Sequence, residues 1–226
     1  MPSLSLLSSV SMMTTGTIAT ITHNPDKIKD LAMINLAIFA SGSGTNCENI
    51  IRYFASSELA RVKLVVCNKA EAPVLDKARR LGVEAVHLGR SAFAVPDVLL
   101  PLLRQHHIDF IVLAGFLLMI PDFLISAYDH RMINIHPALL PKFGGKGMYG
   151  RHVHEAVKAA GEHETGFTVH WVSAVCDGGE IIAQRKVALA DTDSVDLIAA
   201  KEHELEMAYF PGIIEQILKQ NSPILS

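Results

Sequence analysis

The chain has 226 residues, half of them hydrophobic, with 20 Lys+Arg against 23 Asp+Glu and a formal net charge of −3. That length suits a single domain with a substantial core. The interspersed charge, without a basic block, excludes nucleic-acid binding as the main activity and leaves room only for a local phosphate pocket.

Cys47, Cys67 and Cys176 are widely spaced and form no CxxC pair, which points to a reduced, cytoplasmic protein. The longest apolar run, 110–120, is too short to span a bilayer. Residues 1–33 are Ser/Thr-rich without a clear period. They lack the basic n-region of a secretory signal and the arginines of a transit peptide. They are expected to be a disordered extension or a start set too early, with Met33 the working start and 34–226 the folded domain.

From Met33 the pattern is strand, glycine-rich turn, helix. The apolar run 34–39 predicts a strand buried on both faces. Ala40-Ser41-Gly42-Ser43-Gly44-Thr45-Asn46 follows, then helical spacing over 47–54 (Ile50, Ile51, Phe54). Such a loop offers free backbone N–H groups and the positive end of a helix dipole, a cradle for phosphate. It has neither the third glycine of a dinucleotide fingerprint nor the Gly-Lys-Ser/Thr of a P-loop, and a plain βα turn fits the same spacing.

A second strand is predicted over 61–67, a helix over 74–81 ending at Gly82, a third strand over 83–88, and a helix over 96–107 with proline in its first turn. The fourth strand, 108–114, runs into Gly115-Phe116-Leu117-Leu118-Met119-Ile120. Apolar residues where a surface loop should be polar make either core packing or the wall of a pocket for a flat ligand. A short helix over 121–128 leads into Met132-Ile133-Asn134-Ile135-His136-Pro137. Alternation puts Asn134 and His136 on one face of a strand that the proline ends. A glycine-rich loop 144–150, a helix to about 160, and strands over 165–172 and 181–189 follow. A helix over 194–219, interrupted near Pro211, closes the chain. The pattern predicts a single-domain, Rossmann-like α/β fold: a largely parallel twisted sheet flanked by helices, with an antiparallel edge formed by the last two strands.

Asn134 and His136 stand at the carboxyl end of a strand, where open α/β sheets bind ligands. A nearby carboxylate would raise the histidine pKa and fix its orientation. Asp177, before the flexible Gly178-Gly179, is the candidate, although a structural His–Asp pair or a turn aspartate fits the spacing equally. An amide and a protonated ring side by side suit a developing oxyanion. His152, His154, His163 and His170 invite a zinc reading, but no HExxH or paired cysteines accompany them. His106-His107 reads as a solvated or dipole-neutralising pair. Cys47 stands one turn into a helix without a base, as a packing residue would. No Gly-x-Ser-x-Gly elbow is present.

Taken in order, Ala40–Asn46, Ala114-Gly115-Phe116, Asn134-Ile135-His136-Pro137-Ala138-Leu139-Leu140-Pro141 and Asp177-Gly178-Gly179 closely resemble the phosphoribosylglycinamide formyltransferases, from about Met33 to Leu218. The resemblance implies that 34–226 is a formyltransferase catalytic domain of purine (IMP) biosynthesis. It implies formyl transfer from 10-formyltetrahydrofolate, as co-substrate, to the amine of glycinamide ribonucleotide through a tetrahedral intermediate, without a metal. His136 then matches the catalytic acid, Asn134 its partner, and Asp177 the carboxylate behind the histidine. Gly44, Thr45, Asn46 and Glu206 match the ribonucleotide site. Leu117, Leu118, Met119 and Ile120 match the pterin wall, with Asn134 also touching folate, and His170 has a supporting role at most. The partners implied are these two small molecules, with no nucleic acid and no membrane, for a monomer or homodimer.

Leu118 and Pro96 stand where relatives carry arginines, and the 144–150 loop is longer than in compact bacterial members. Contacts to the folate tail and loop closure are therefore expected to differ. 10-Formyltetrahydrofolate deformylase shares the three polar residues but normally carries a preceding regulatory domain. Methionyl-tRNA formyltransferase adds a basic C-terminal domain. Neither addition is expected here, and a non-catalytic nucleotide-binding protein is the remaining alternative.

Overall fold

In the computed structural model the described residues are 33–225, and the expectations for 1–32 lie outside them. The apolar runs become β1 (Ile34–Ala40), β2 (Ala60–Cys67), β3 (Glu84–His87), β4 (Phe110–Leu113), β5 (Met132–His136), β6 (Glu164–Trp171) and β7 (Ile181–Ala188). They form one sheet in the order β3-β2-β1-β4-β5-β6-β7. The first five strands are parallel. Not only β7 but also β6 runs antiparallel to its neighbour. The chain between β5 and β6 returns to the end of the sheet where β5 finished, instead of crossing to the other end as a parallel connection requires.

The helices are α1 (Thr45–Phe54), α2 (Pro73–Arg80), α3 (Arg90–Phe93), α4 (Pro96–Gln105), α5 (Asp122–Ala127), α6 (Arg151–Ala159) and α7 (Val195–Leu225). The sequence reading did not include α3, whose four residues are too few to display a helical period.

Both faces of the sheet are covered, and alternation along β1 shows how. Leu36, Ile38 and Ala40 pack into a core shared with α1, α2 and α7, whereas Ala37 and Phe39 enter a second core with α3, α4 and α5. No helix among the described residues is long and apolar enough to cross a membrane.

One expectation is corrected. α7 runs unbroken through Pro211. A proline inside a helix withholds its N–H from the carbonyl four residues earlier, here that of Met207. Asn49 Nδ2, from α1, donates to the Met207 oxygen at 2.8 Å instead. Phe210, Ile213, Ile214, Ile217 and Leu218 are buried around it, so packing holds the helix where propensity alone would break it.

Candidate active site

The chain order reverses between β1 and β4, and a cleft of about 760 Å³ opens at the carboxyl ends of the central strands. That is the position at which doubly wound sheets collect ligands. Three strand-end segments build its floor: Gly42 to Asn46 after β1, Ala114 to Met119 after β4, and Asn134 to Pro137 at the end of β5.

At the first segment Gly44 caps α1 with φ 74°. A Cβ there would lie 2.5 Å from Val74 Cγ2, so only glycine lets α2 approach the loop so closely. Thr45 opens the helix and Asn46 turns toward α7, where its Nδ2 donates to Glu206 Oε2 at 2.8 Å. The buried Ser41 hydroxyl accepts the Leu117 N–H at 2.9 Å and joins the first segment to the second. Leu117, Leu118 and Met119 line the cleft, as do Phe93, Phe116 and Arg90. Phe39, Phe93 and Phe116 form an aromatic group beneath this arm, with ring centroids 5.0–5.8 Å apart. Ile120 packs into the core below and is not part of the cleft wall.

The third segment carries the polar pair. β5 buries Ile133 and Ile135 on one face, which sends Asn134 and His136 to the other. Antiparallel register then sets His170 opposite Asn134 and Thr168 opposite His136. Thr168 Oγ1 accepts the Leu140 N–H at 3.0 Å and donates to the Ala138 carbonyl at 2.7 Å, fastening the turn after Pro137 to β6. His170 Nδ1 lies 2.9 Å from its neighbour's carbonyl at Trp171, and its Nε2 lies 3.0 Å from Asn134 Nδ2. A ring that donates from Nδ1 accepts at Nε2. In the tautomer that donates from Nδ1 to the Trp171 carbonyl, His170 accepts one Asn134 N–H at Nε2 and leaves the second free, whereas a ring carrying a proton on Nε2 would turn it toward Asp177 Oδ1, 3.6 Å away.

Asp177 does return to the sheet. Its φ of 52° and the turn at Gly178-Gly179 fold the chain back on β6, and a Cβ on Gly179 would lie only 1.7 Å from the Trp171 carbonyl oxygen. Asp177 Oδ2 stands 3.5 Å from His136 Nδ1 and accepts the Gly145 N–H at 2.8 Å, while Oδ1 stands 3.6 Å from His170 Nε2. The opposite ring nitrogen, His136 Nε2, lies 2.7 Å from the Phe143 carbonyl. Both nitrogens of His136 face acceptors, so the surroundings accommodate an imidazolium.

Burial nevertheless prevails. With the side chain only 4% exposed, desolvation pulls the His136 pKa below its usual value, against the raising influence of Asp177 and of the Phe143 carbonyl. The expectation that Asp177 leaves this histidine with a raised pKa is thereby corrected. Asp177 is held below the usual carboxylate range; burial opposes this, but His170, His136 and the Gly145 N–H outweigh it.

The remaining histidines of the zinc reading disperse. His152 pairs with Glu155 and His163 with Asp191 at the surface, and His154 is buried beside the cleft. Among the described residues no group of three or more His, Cys, Asp or Glu side chains is arranged to hold a metal ion. Arg90, Glu202 and His203 also line the cleft and were missed. Glu202 and Glu206 stand one turn apart on α7, a spacing that could have flagged a shared site.

Fold and cleft together define a group-transfer enzyme of the formyl transferase family, to which the chain belongs: the family's model matches residues 34–214. Within it the chain is similar to the phosphoribosylglycinamide formyltransferase of Bacillus subtilis, with 36% identity over 84% of this chain and 97% of that one. It is also similar to that of Escherichia coli, with 35% identity over 80% and 85%. Among solved structures, glycinamide ribonucleotide transformylase 1 from Geobacillus kaustophilus superposes with a TM-score of 0.74 at 34% identity, over 83% of this chain and all of that one.

Proposed function

We propose that the chain transfers the formyl group of 10-formyltetrahydrofolate to the primary amine of glycinamide ribonucleotide. The observation that carries this reading is the convergence of Asn134, His136 and Asp177 at one cleft. Its apolar arm (Leu117, Leu118, Met119) suits a flat pterin, and its other end (Gly44, Thr45, Asn46, Glu206) suits a phosphorylated sugar.

Attack of the amine on the formyl carbon builds a tetrahedral oxyanion, which fixed hydrogen-bond donors stabilise more than the uncharged ground state. Asn134 supplies its free amide N–H, oriented by His170. His136 supplies a ring N–H once the substrate carbonyl replaces the Phe143 carbonyl as acceptor. Negative charge growing beside the ring favours its protonated form, with Asp177 3.5 Å behind. Collapse of the intermediate expels the folate nitrogen, which takes up a proton as the attacking amine loses one. Much of the acceleration comes from holding the two substrates together, and no step requires a covalent enzyme intermediate or a metal. Three unpaired cysteines support work in a reducing compartment, the cytoplasm.

The test is incubation with 10-formyltetrahydrofolate, with and without glycinamide ribonucleotide. Formylated ribonucleotide is the expected product. Formate released at the same rate without the ribonucleotide would point to the hydrolase, and turnover of neither kind to a binding protein.

A further inference from the structure

The stretch 115–120, which carries the apolar arm of the cleft, has no regular secondary structure. Phe116 and Leu118 pack on the core beneath it, and Ile120 is buried there. Leu117 and Met119, which line the cleft, are by contrast 45% and 59% exposed. Their own packing therefore does little to fix where they stand. Among the N–H groups of 116–120, only that of Leu117 meets a hydrogen-bond acceptor among the described residues, and the acceptor is Ser41 Oγ at 2.9 Å.

Ser41 grips this bend at two points. Gly115, with φ 73°, turns the chain out of β4, and the Ser41 N–H donates to the Gly115 carbonyl at 3.0 Å. Two residues further on, the Leu117 N–H comes back to the Ser41 hydroxyl. The single hydroxyl proton is donated to Asn68 Oδ1, just past the end of β2, which leaves the oxygen lone pairs for Leu117. With its proton committed, the hydroxyl is fixed in direction and is not a free rotor. Ser41 is 1% exposed, and neither it nor Asn68 lines the cleft. One buried oxygen thus joins the ends of β1, β2 and β4, where the strand order reverses.

We propose that Ser41, aimed by Asn68, is the positioning residue of the apolar arm: its hydroxyl sets where Leu117 and Met119 stand, and so how well the cleft accepts the flat ring of the formyl donor. The assignment of a pterin to that arm rests on the function proposed above, whereas the fastening of the arm does not. Removing the hydroxyl strands the Leu117 N–H and takes the donor from Asn68 Oδ1. The backbone bonds of β1 and of the loop to α1 are untouched, so the loss falls on the donor ligand and spares the ribonucleotide.

The test compares the unaltered full chain with Ser41→Ala and Asn68→Ala. In calorimetry with 5-formyltetrahydrofolate, Ser41→Ala raises Kd roughly tenfold, while Kd for glycinamide ribonucleotide changes by less than about twofold. Asn68→Ala shifts the folate Kd the same way by about threefold, and Asn68→Asp, which keeps an acceptor for the hydroxyl, restores it. Amide exchange by NMR reads the fastening without any ligand: the Leu117 N–H exchanges at least about tenfold faster in Ser41→Ala, with the β1 and β4 amides unchanged. Unaltered Leu117 exchange in folded Ser41→Ala overturns the proposal. Equal weakening of both ligands, the mark of a general loss of structure, also overturns it. If Ser41→Ala does not fold, Asn68→Ala carries the same two readings. Faster Leu117 exchange in a protein that binds no folate overturns the pterin reading and leaves Ser41 as the fastening of the arm.

Discussion

Replacing Asp177 with asparagine is the most direct probe of the chemistry. The carboxamide is nearly isosteric and its oxygen can still accept the Gly145 N–H, so the loop tie of 2.8 Å survives. What disappears is a charge 3.5 Å from His136 Nδ1. Unit charges at that separation attract by about 5 kcal/mol at an effective dielectric of 20. That is an upper bound, because burial already keeps the free ring largely uncharged. A transition-state loss of about 3–4 kcal/mol corresponds to a kcat lowered roughly 100- to 1000-fold at neutral pH. KM for either substrate should change by no more than about threefold, since the carboxylate acts through the ring.

The pH profile carries the sharper signature. Asp177 is the largest influence holding the His136 pKa up against burial, so its loss lowers that pKa further. The alkaline limb of kcat should move to lower pH. Steady-state kinetics across pH 5–9, with circular dichroism to confirm the fold, measures both effects. A kcat within tenfold of the unaltered enzyme, or an unmoved alkaline limb, would refute the charge-support reasoning.

Further outcomes can be read the same way. Gly44→Ala forces a side chain into a left-handed backbone and to 2.5 Å from Val74, so KM for the ribonucleotide should rise tenfold or more, with a lowered Tm. Glu202→Gln should stabilise the protein by about 1–3 kcal/mol at pH 8. A carboxyl whose folded pKa is raised favours the fold below about pH 4.5 and loses that contribution as pH climbs through the raised value. Urea unfolding should therefore show the gain shrinking toward pH 5. Asn49→Ala should cost about 1–3 kcal/mol by stranding the Met207 carbonyl. In a Pro211→Ala background the cost should fall, because residue 211 regains an N–H to offer; additive losses in that double-mutant cycle would contradict the account.

The parallel sheet was legible because its strands are short apolar runs cut by glycine and proline, and Asn134 and His136 because alternation and Pro137 leave them one orientation. Asp177 could be nominated but not brought near, since its approach depends on Gly179 passing within a backbone's reach of Trp171. The ionisation of His136 was misjudged for a related reason. A partner charge can be guessed from neighbouring motifs, while the depth of burial is a property of the assembled sheet. Pro211 misled because its compensating donor, Asn49, is on a helix more than 150 residues earlier. Glu202 went unremarked, and His154 was named only among scattered histidines, because their burial beside the cleft becomes visible only when the helices have converged around it.

Helix α1 offers three side chains of one face to α7: Asn46 to Glu206, Asn49 to the Met207 carbonyl and Tyr53 to Glu215, each contact 2.8–2.9 Å long. The rungs run from the glycine-rich loop to the far half of the closing helix, so the two helices are latched along their length. A ligand that steadies the loop should be felt some 20 residues beyond Val195, as slower amide exchange across 206–218. In that sense the C-terminal helix is the back wall of one end of the cleft, and its stiffness should depend on what occupies that end as well as on its own sequence.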